Sequence, residues 1–313
     1  MLMKAPNERI DSKGILDFLE NKNYACKRIE SVKKVDLKYA GRLTKMALFN
    51  KETKILILDD VKVLIHVCDL NGILVKSINP ESCLKDPFGI CVGAGKNGDE
   101  EIFIYDHYLE TVFVFDPDFK LIKKFENNLK GVYYLTIDSE TQILYCSHTY
   151  DNIVTLLNAN DGQLVQKLKI ERPVNIKLIE TRVYIVSLVD CDRDEDKRKL
   201  IKLKRGNYIS VLNKPSLEIV YKIQLENWLW PGSLHISTNS NIYTAAFVLD
   251  EDGIYSKNLY LFVIDSQNYE LKQNVELNDV ESFCDALYMN KKLIFSAVNE
   301  KDNNEIRTFC FNE

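Results

Sequence analysis

A five-residue alternating run, ILILD at residue 55, comes back five more times as IFIYD at 102, ILYCS at 143, VYIVS at 183, IYTAA at 242 and LIFSA at 293. Successive starts differ by 47, 41, 40, 59 and 51 residues. Self-similarity at that period constrains a chain more than any single motif does, because each unit is one supersecondary piece that can bury its faces only against its neighbours. The clearest unit is 86–126, with four alternating runs, FGICV, EIFIYD, TVFVFD and KLIKKF, set apart by turn residues. Alternation between turn clusters reads as four antiparallel strands, with a DPD turn between the third and fourth. The other strands recur as well. Pro87, Pro173 and Pro231 open first strands, and the third strand returns as IHVCDLNG, IVTLLNANDG, YISVLNKPS, YLFVIDSQ and IRTFCFNE.

Four-stranded units in series are stable when stacked radially, so the expected fold is all-β: a six-bladed β-propeller of four-stranded antiparallel blades. The last unit reaches Glu313 after its third strand, and the alternating segment 24–37, YACKRIESVKKVDL, has no unit of its own. That segment is expected to supply the missing outer strand and close the ring. Before it, SKGILDFLENK at 12–22 places Ile15, Leu16 and Leu19 at helical spacing behind Ser12 as an N-cap, which predicts a short N-terminal helix. The domain reading is therefore an extension over 1–23 and a propeller over 24–313.

Apolar residues make up 46% and charged residues 28%, enough for a large core and too apolar for a disordered chain. The net charge of -5 offers no general basic field for nucleic acid or anionic membrane. Asn7, Glu8, Arg9 and Asp11 stand where a signal peptide needs apolar residues, and no apolar run is long enough to span a bilayer. The eight cysteines include no CxxC pair and fall mostly inside apolar alternation, so they read as reduced, buried thiols rather than disulfides or zinc ligands. A soluble, cytoplasmic protein is expected.

The units resemble the NHL-repeat family, most clearly in PFGICV, EIFIYD and TVFVFDPDFKLIKKF. The chain departs from the NHL pattern in its few glycines and in the turns DDVKV, DHYLET and SHTYDN, which leaves the YWTD type and other six-bladed propellers open. The resemblance implies a ring whose mouth, formed by the loops after second strands and between blades, binds a ligand.

Around that mouth, His107 and His148 fall in register on adjacent blades, each following the equivalent residues Asp106 and Ser147. Two imidazoles near a carboxylate could begin a divalent metal site, the kind that metal-dependent six-bladed hydrolases and lyases resemble. No third ligand follows: His66 lies in a third strand and His235 in a first strand. No GxSxG, P-loop or HExxH is present, and GAGKNG at 93–98 lacks P-loop spacing. The turns at the mouth are neutral or acidic, and lysines gather in the outer strands, where they discourage edge pairing. RNA binding, known in some NHL rings, is therefore disfavoured, its one basic stretch being the mixed-charge extension 190–206, read as a solvated hairpin. The ENWLWPGS connection at 226–233 carries both tryptophans. With Phe88, Tyr108 and Tyr133 around the same mouth, Trp228 and Trp230 read as anchors for a protein or peptide partner. The expected function is a non-enzymatic scaffold without a cofactor; the alternatives are a metal-dependent enzyme using His107 and His148, and single-stranded RNA binding.

Overall fold

The computed structural model describes residues 33–36, 41, 43–80, 83–188, 191–194, 199–203, 207–225, 229–236, 241–249, 255–265, 271–277, 282–289, 292–298 and 304–310. The helix expected over 12–22 lies outside the described residues. In chain order, β1 is Lys33–Asp36; β2 to β5 are Leu43–Phe49, Lys54–Asp59, Leu64–Asp69 and Leu74–Ile78. Next, β6 to β9 are Pro87–Ala94, Glu100–Asp106, Thr111–Phe115 and Leu121–Phe125, and β10 to β13 are Tyr134–Asp138, Ile143–His148, Ile153–Asn158 and Leu164–Lys169. Then come β14 (Pro173–Ile179), β15 (Arg182–Ser187), the hairpin strands β16 (Cys191–Asp194) and β17 (Lys199–Leu203), β18 (Tyr208–Asn213) and β19 (Ile219–Gln224). Last, β20 to β23 are Leu229–Ile236, Asn241–Leu249, Tyr255–Asp265 and Leu271–Leu277, and β24 to β26 are Ser282–Met289, Lys292–Val298 and Asn304–Cys310.

These strands make a propeller of four-stranded antiparallel blades. The sheets run β2-β3-β4-β5, β6-β7-β8-β9, β10-β11-β12-β13 and β14-β15-β18-β19 from first to outermost strand. Two further four-stranded sheets are described mainly by their backbone, β20-β21-β22-β23 and β24-β25-β26-β1. In the latter, β1 pairs antiparallel with β26, Lys33 opposite Thr308 through Asp36 opposite Glu305. The extension from blade four is a two-stranded hairpin, β16 with β17, inserted between β15 and β18. First strands pack side by side, β2 on β6, β6 on β10, β10 on β14, β14 on β20, β20 on β24 and β24 on β2.

Apolar cores lie between neighbouring sheets. Leu56, Leu58 and Ile65 of one blade meet Ile102, Ile104 and Phe115 of the next, and Phe103, Tyr105 and Val114 then meet Leu135, Leu144 and Cys146. Each strand thus feeds both faces into cores, which is why its alternation is weakly amphipathic in β3, β7 and β8. Gly89 marks how close the sheets come, since a Cβ there would collide with the Leu135 side chain. Outermost strands are exposed on both faces: the consecutive residues Leu74 and Val75, Leu121 and Ile122, Leu164 and Val165, and Ile219 and Val220 are all exposed. The lysines interleaved with them guard these edges.

First strands are sheet edges too, facing the axis, and this explains their prolines. An edge strand tolerates a residue without an N–H. Pro87, Pro173 and Pro231 each sit beside a register shift, Pro87/Gly89, Pro173/Asn175 and Pro231/Ser233. Similar shifts fall at Leu43/Met46 and Phe283/Asp285. A bulge bends the strand and re-aims the extra side chain. Phe88 and Lys45 are such extra residues.

Candidate partner-binding mouth

In blades one and two an aspartate at the end of the second strand ties the turn that follows it to the segment that enters the same blade. In blade one the Asp59 carboxylate accepts N–H groups from Lys62 (2.9 Å) and Gly41 (2.5 Å). In blade two Asp106 accepts from Leu109 (2.9 Å), Lys85 (2.6 Å) and Asp86 (2.9 Å). Asp59 is also approached by His66, Nε2 to Oδ2 3.3 Å, while Nδ1 of that ring lies 2.8 Å from Ser77 Oγ. With Nε2–H donated to the carboxylate, Nδ1 accepts the serine proton. Burial alone would raise the Asp59 carboxyl; the bonds from His66, Lys62 and Gly41 hold it below the ordinary value.

His107 and His148 share a register position but not an environment. His107 is exposed, its ring 5.9 Å from that of Phe88 and 6.2 Å from that of Tyr105. His148 is buried; its Nδ1–H donates to the Lys130 carbonyl at 2.8 Å, and its Nε2 meets no partner among the described residues. Burial pushes the His148 pKa below its ordinary value, so the imidazole is neutral. Among the described residues, no group of three His, Cys, Asp or Glu side chains is arranged to hold a metal ion.

Phe88 and Tyr133, both half-buried, meet edge to face with centroids 5.5 Å apart. The Tyr108 ring is 68% exposed, with Lys85 Nζ 4.9 Å from its centre. The structure brings the rings of Phe88, Tyr133 and His107 together, with Tyr108 on the turn that follows. Trp228 lies outside the described residues; Trp230 is in β20, its side chain likewise outside the description. Two residues went unnoticed in the sequence: Val61 and Tyr150, 67% and 81% exposed, stand in the equivalent turns of blades one and three. Their signal was available, since both are large apolar or aromatic residues in turns whose neighbours are polar.

Deeper toward the axis, first strands bring together groups that the sequence reading passed over. Lys45 Nζ lies 5.6 Å from the Tyr133 ring centre and 5.4 Å from that of Tyr134. Lys177 Nζ lies 5.9 Å from the Tyr134 ring centre. Asp285 is buried nearby and accepts the Met46 N–H at 2.9 Å. Burial pulls the Lys177 pKa below its ordinary value, against the attraction of Asp285, and burial pushes that of Tyr134 well up. A lysine inside an otherwise apolar first strand, as in LTKMALF and VNIKLI, was the signal.

Comparison with known proteins places the fold and stops there. No family model matches the chain, and no characterised protein matches it in sequence. Among solved structures, the chain is similar to the Neurospora crassa Pan2 WD40 domain at 9% identity and a TM-score of 0.56, over 87% of this chain and 76% of that one. It is also similar to Kuenenia stuttgartiensis hydrazine synthase at 17% identity and a TM-score of 0.54, over 71% of this chain. It spans 58% of that hydrazine synthase chain. Among the described residues no helix is long and apolar enough to cross a membrane.

Proposed function

We infer that this chain is a six-bladed propeller whose axial mouth docks a protein or peptide partner and which carries out no chemistry of its own. Six four-stranded sheets, the contact of β24 back on β2 and the pairing of β1 with β26 support the blade count and the closure. Kinship with NHL repeats is carried most clearly by residues 86–126. Since fold does not name function, the site must carry the reading. The carrying observation is the edge-to-face pair Phe88–Tyr133, adjoining exposed Tyr108 on a face where Val61 and Tyr150 also project. Aromatic side chains bury much area at little entropic cost, and they dominate binding hot spots.

The metal-dependent reading has less support, because His107 faces solvent while His148 is buried, and among the described residues no third His, Cys, Asp or Glu side chain joins them. Selecting a displayed library of random dodecapeptides on the immobilised protein tests the docking reading. Selected peptides should lose about 2 kcal/mol of binding on Phe88→Ala or Tyr133→Ala and nothing on Val165→Ser in the outer strand β13. Peptides equally sensitive to the β13 change would overturn the assignment. Closure has its own test: removing residues 1–37 strips β1 from β26 and should cause aggregation through the freed edge.

A further inference from the structure

The strands that carry Lys45 and Lys177 do not touch. Between β2 and β14 stand β6 and β10 on one side and β20 and β24 on the other. Both amines nevertheless reach the same ring, that of Tyr134, from 5.4 and 5.9 Å. Lys177 reaches it from the neighbouring strand β14, whereas Lys45 reaches it from β2 past β6, over the space that the first strands enclose. Lys45 is 7% exposed, and among the described residues neither lysine forms an ion pair. Asp285 is the carboxylate that acts on Lys177 across the same space, and Lys45 repels that ammonium. An independent sign comes from Asn175, which strand alternation puts on the same side of β14 as Lys177. It is 1% exposed, and neither its amide nitrogen nor its amide oxygen has a partner among the described residues.

Burying ammonium groups is costly unless opposite charge is at hand, and an unmet buried amide adds to the cost. Among the described residues two ammonium groups face one carboxylate here, so those residues leave room for one more negative, hydrogen-bond-accepting group. The Tyr134 ring beside the amines offers an apolar wall for a short methylene chain. We propose that this axial socket receives the carboxylate of an Asp or Glu side chain from the docked partner, which makes the partner an acidic peptide segment. The proposal rests on the mouth reading above and specifies its ligand. In it, Lys45 and Lys177 supply charge-assisted hydrogen bonds and Asn175 donates its N–H.

Three fluorescein-labelled probes test it by anisotropy at low salt: the peptide Gly-Phe-Glu-Glu-Phe-Gly, its Gln-Gln counterpart and its Lys-Lys counterpart, with free glutarate as competitor. The Glu peptide should bind at least tenfold more tightly than the Gln peptide, and the Lys peptide least. Lys45→Met and Lys177→Met should each cut the Glu-peptide affinity about tenfold and leave the Gln peptide unchanged, while Phe88→Ala weakens both. Glu and Gln peptides of equal affinity, both sensitive to Phe88→Ala, would sink the carboxylate socket and leave the mouth reading intact. No binding sensitive to Phe88→Ala would sink both. Glutarate that competes as tightly as the Glu peptide, indifferent to Phe88→Ala, would make the ligand a small free acid and overturn the peptide assignment. The Glu-against-Gln comparison needs only the unaltered protein, so it decides even if a lysine variant fails to fold.

Discussion

Blades two and three solve one structural problem with different residues. In blade two, Asp106 at the end of β7 gathers three backbone N–H groups from the turn and from the segment entering β6. In blade three the same position is Ser147, whose hydroxyl, among the described residues, reaches the Tyr134 carbonyl alone, at 3.4 Å. The next residue takes over: His148 bonds the entering segment at the Lys130 carbonyl, and Thr149 donates to the Pro173 carbonyl of the following blade at 2.6 Å. Where an aspartate does the tying, the histidine is released. His107 therefore faces solvent beside Phe88, at the mouth. Equivalent register does not make equivalent chemistry, and the tether, not the imidazole, decides which histidine can meet a ligand.

Replacing Asp106 by Ala should have the largest effect. It strands two N–H groups of the entering segment and one of the turn, and should cost about 3 kcal/mol or more in chemical denaturation. A loss under about 1 kcal/mol would mean that water replaces the carboxylate, and the tether would not be what frees His107. His148→Ala should follow at roughly 2 kcal/mol, and His107→Ala should stay within about 0.5 kcal/mol. Similar losses at the two histidines would erase the contrast.

Acid should separate the two tethers more finely. Burial lowers the folded-state pKa of His148, so the unfolded chain takes up the proton first. Stability is then full above about pH 6.5 and falls as pH drops toward and through the lowered folded value. Asp59 and Asp138 behave differently. Burial raises each, and hydrogen bonds outweigh it, with Lys214 also pairing with Asp138 at 2.9 Å, so both folded-state values are lowered. Their contribution is present above about pH 4 and is lost as pH falls through the folded values. Melting temperature should therefore fall between pH 7.5 and 5.5 in the parent protein and less in His148→Gln. An equal fall in both would assign that window to some other group.

The repeat was legible in sequence because it is written in strand alternation and turn residues: β3, β7, β11, β15, β21 and β25 contain the six runs. Phe88, Tyr108 and Tyr133 were legible because an aromatic at a strand entry or in a polar turn stands out. The axial socket was not. Its members, Lys45, Tyr134, Lys177 and Asp285, are separated by whole blades, and only the arrangement of first strands brings them within reach of one another. The different fates of His107 and His148 were also hidden, since they depend on hydrogen bonds made by Asp106 and Lys130 rather than on the histidines themselves. Bulges mattered in the same way: the register shift at Leu43/Met46 re-aims Lys45, and a strand pattern does not announce it.

Hydrogen exchange of the protein with and without its tightest selected peptide tests the docking account most directly. The account predicts slowed exchange in segments 85–88, 107–110 and 131–134, around Phe88, Tyr108 and Tyr133, with the outer strands β5, β9 and β13 unchanged. Protection confined to those outer strands, with the mouth unaffected, would contradict it.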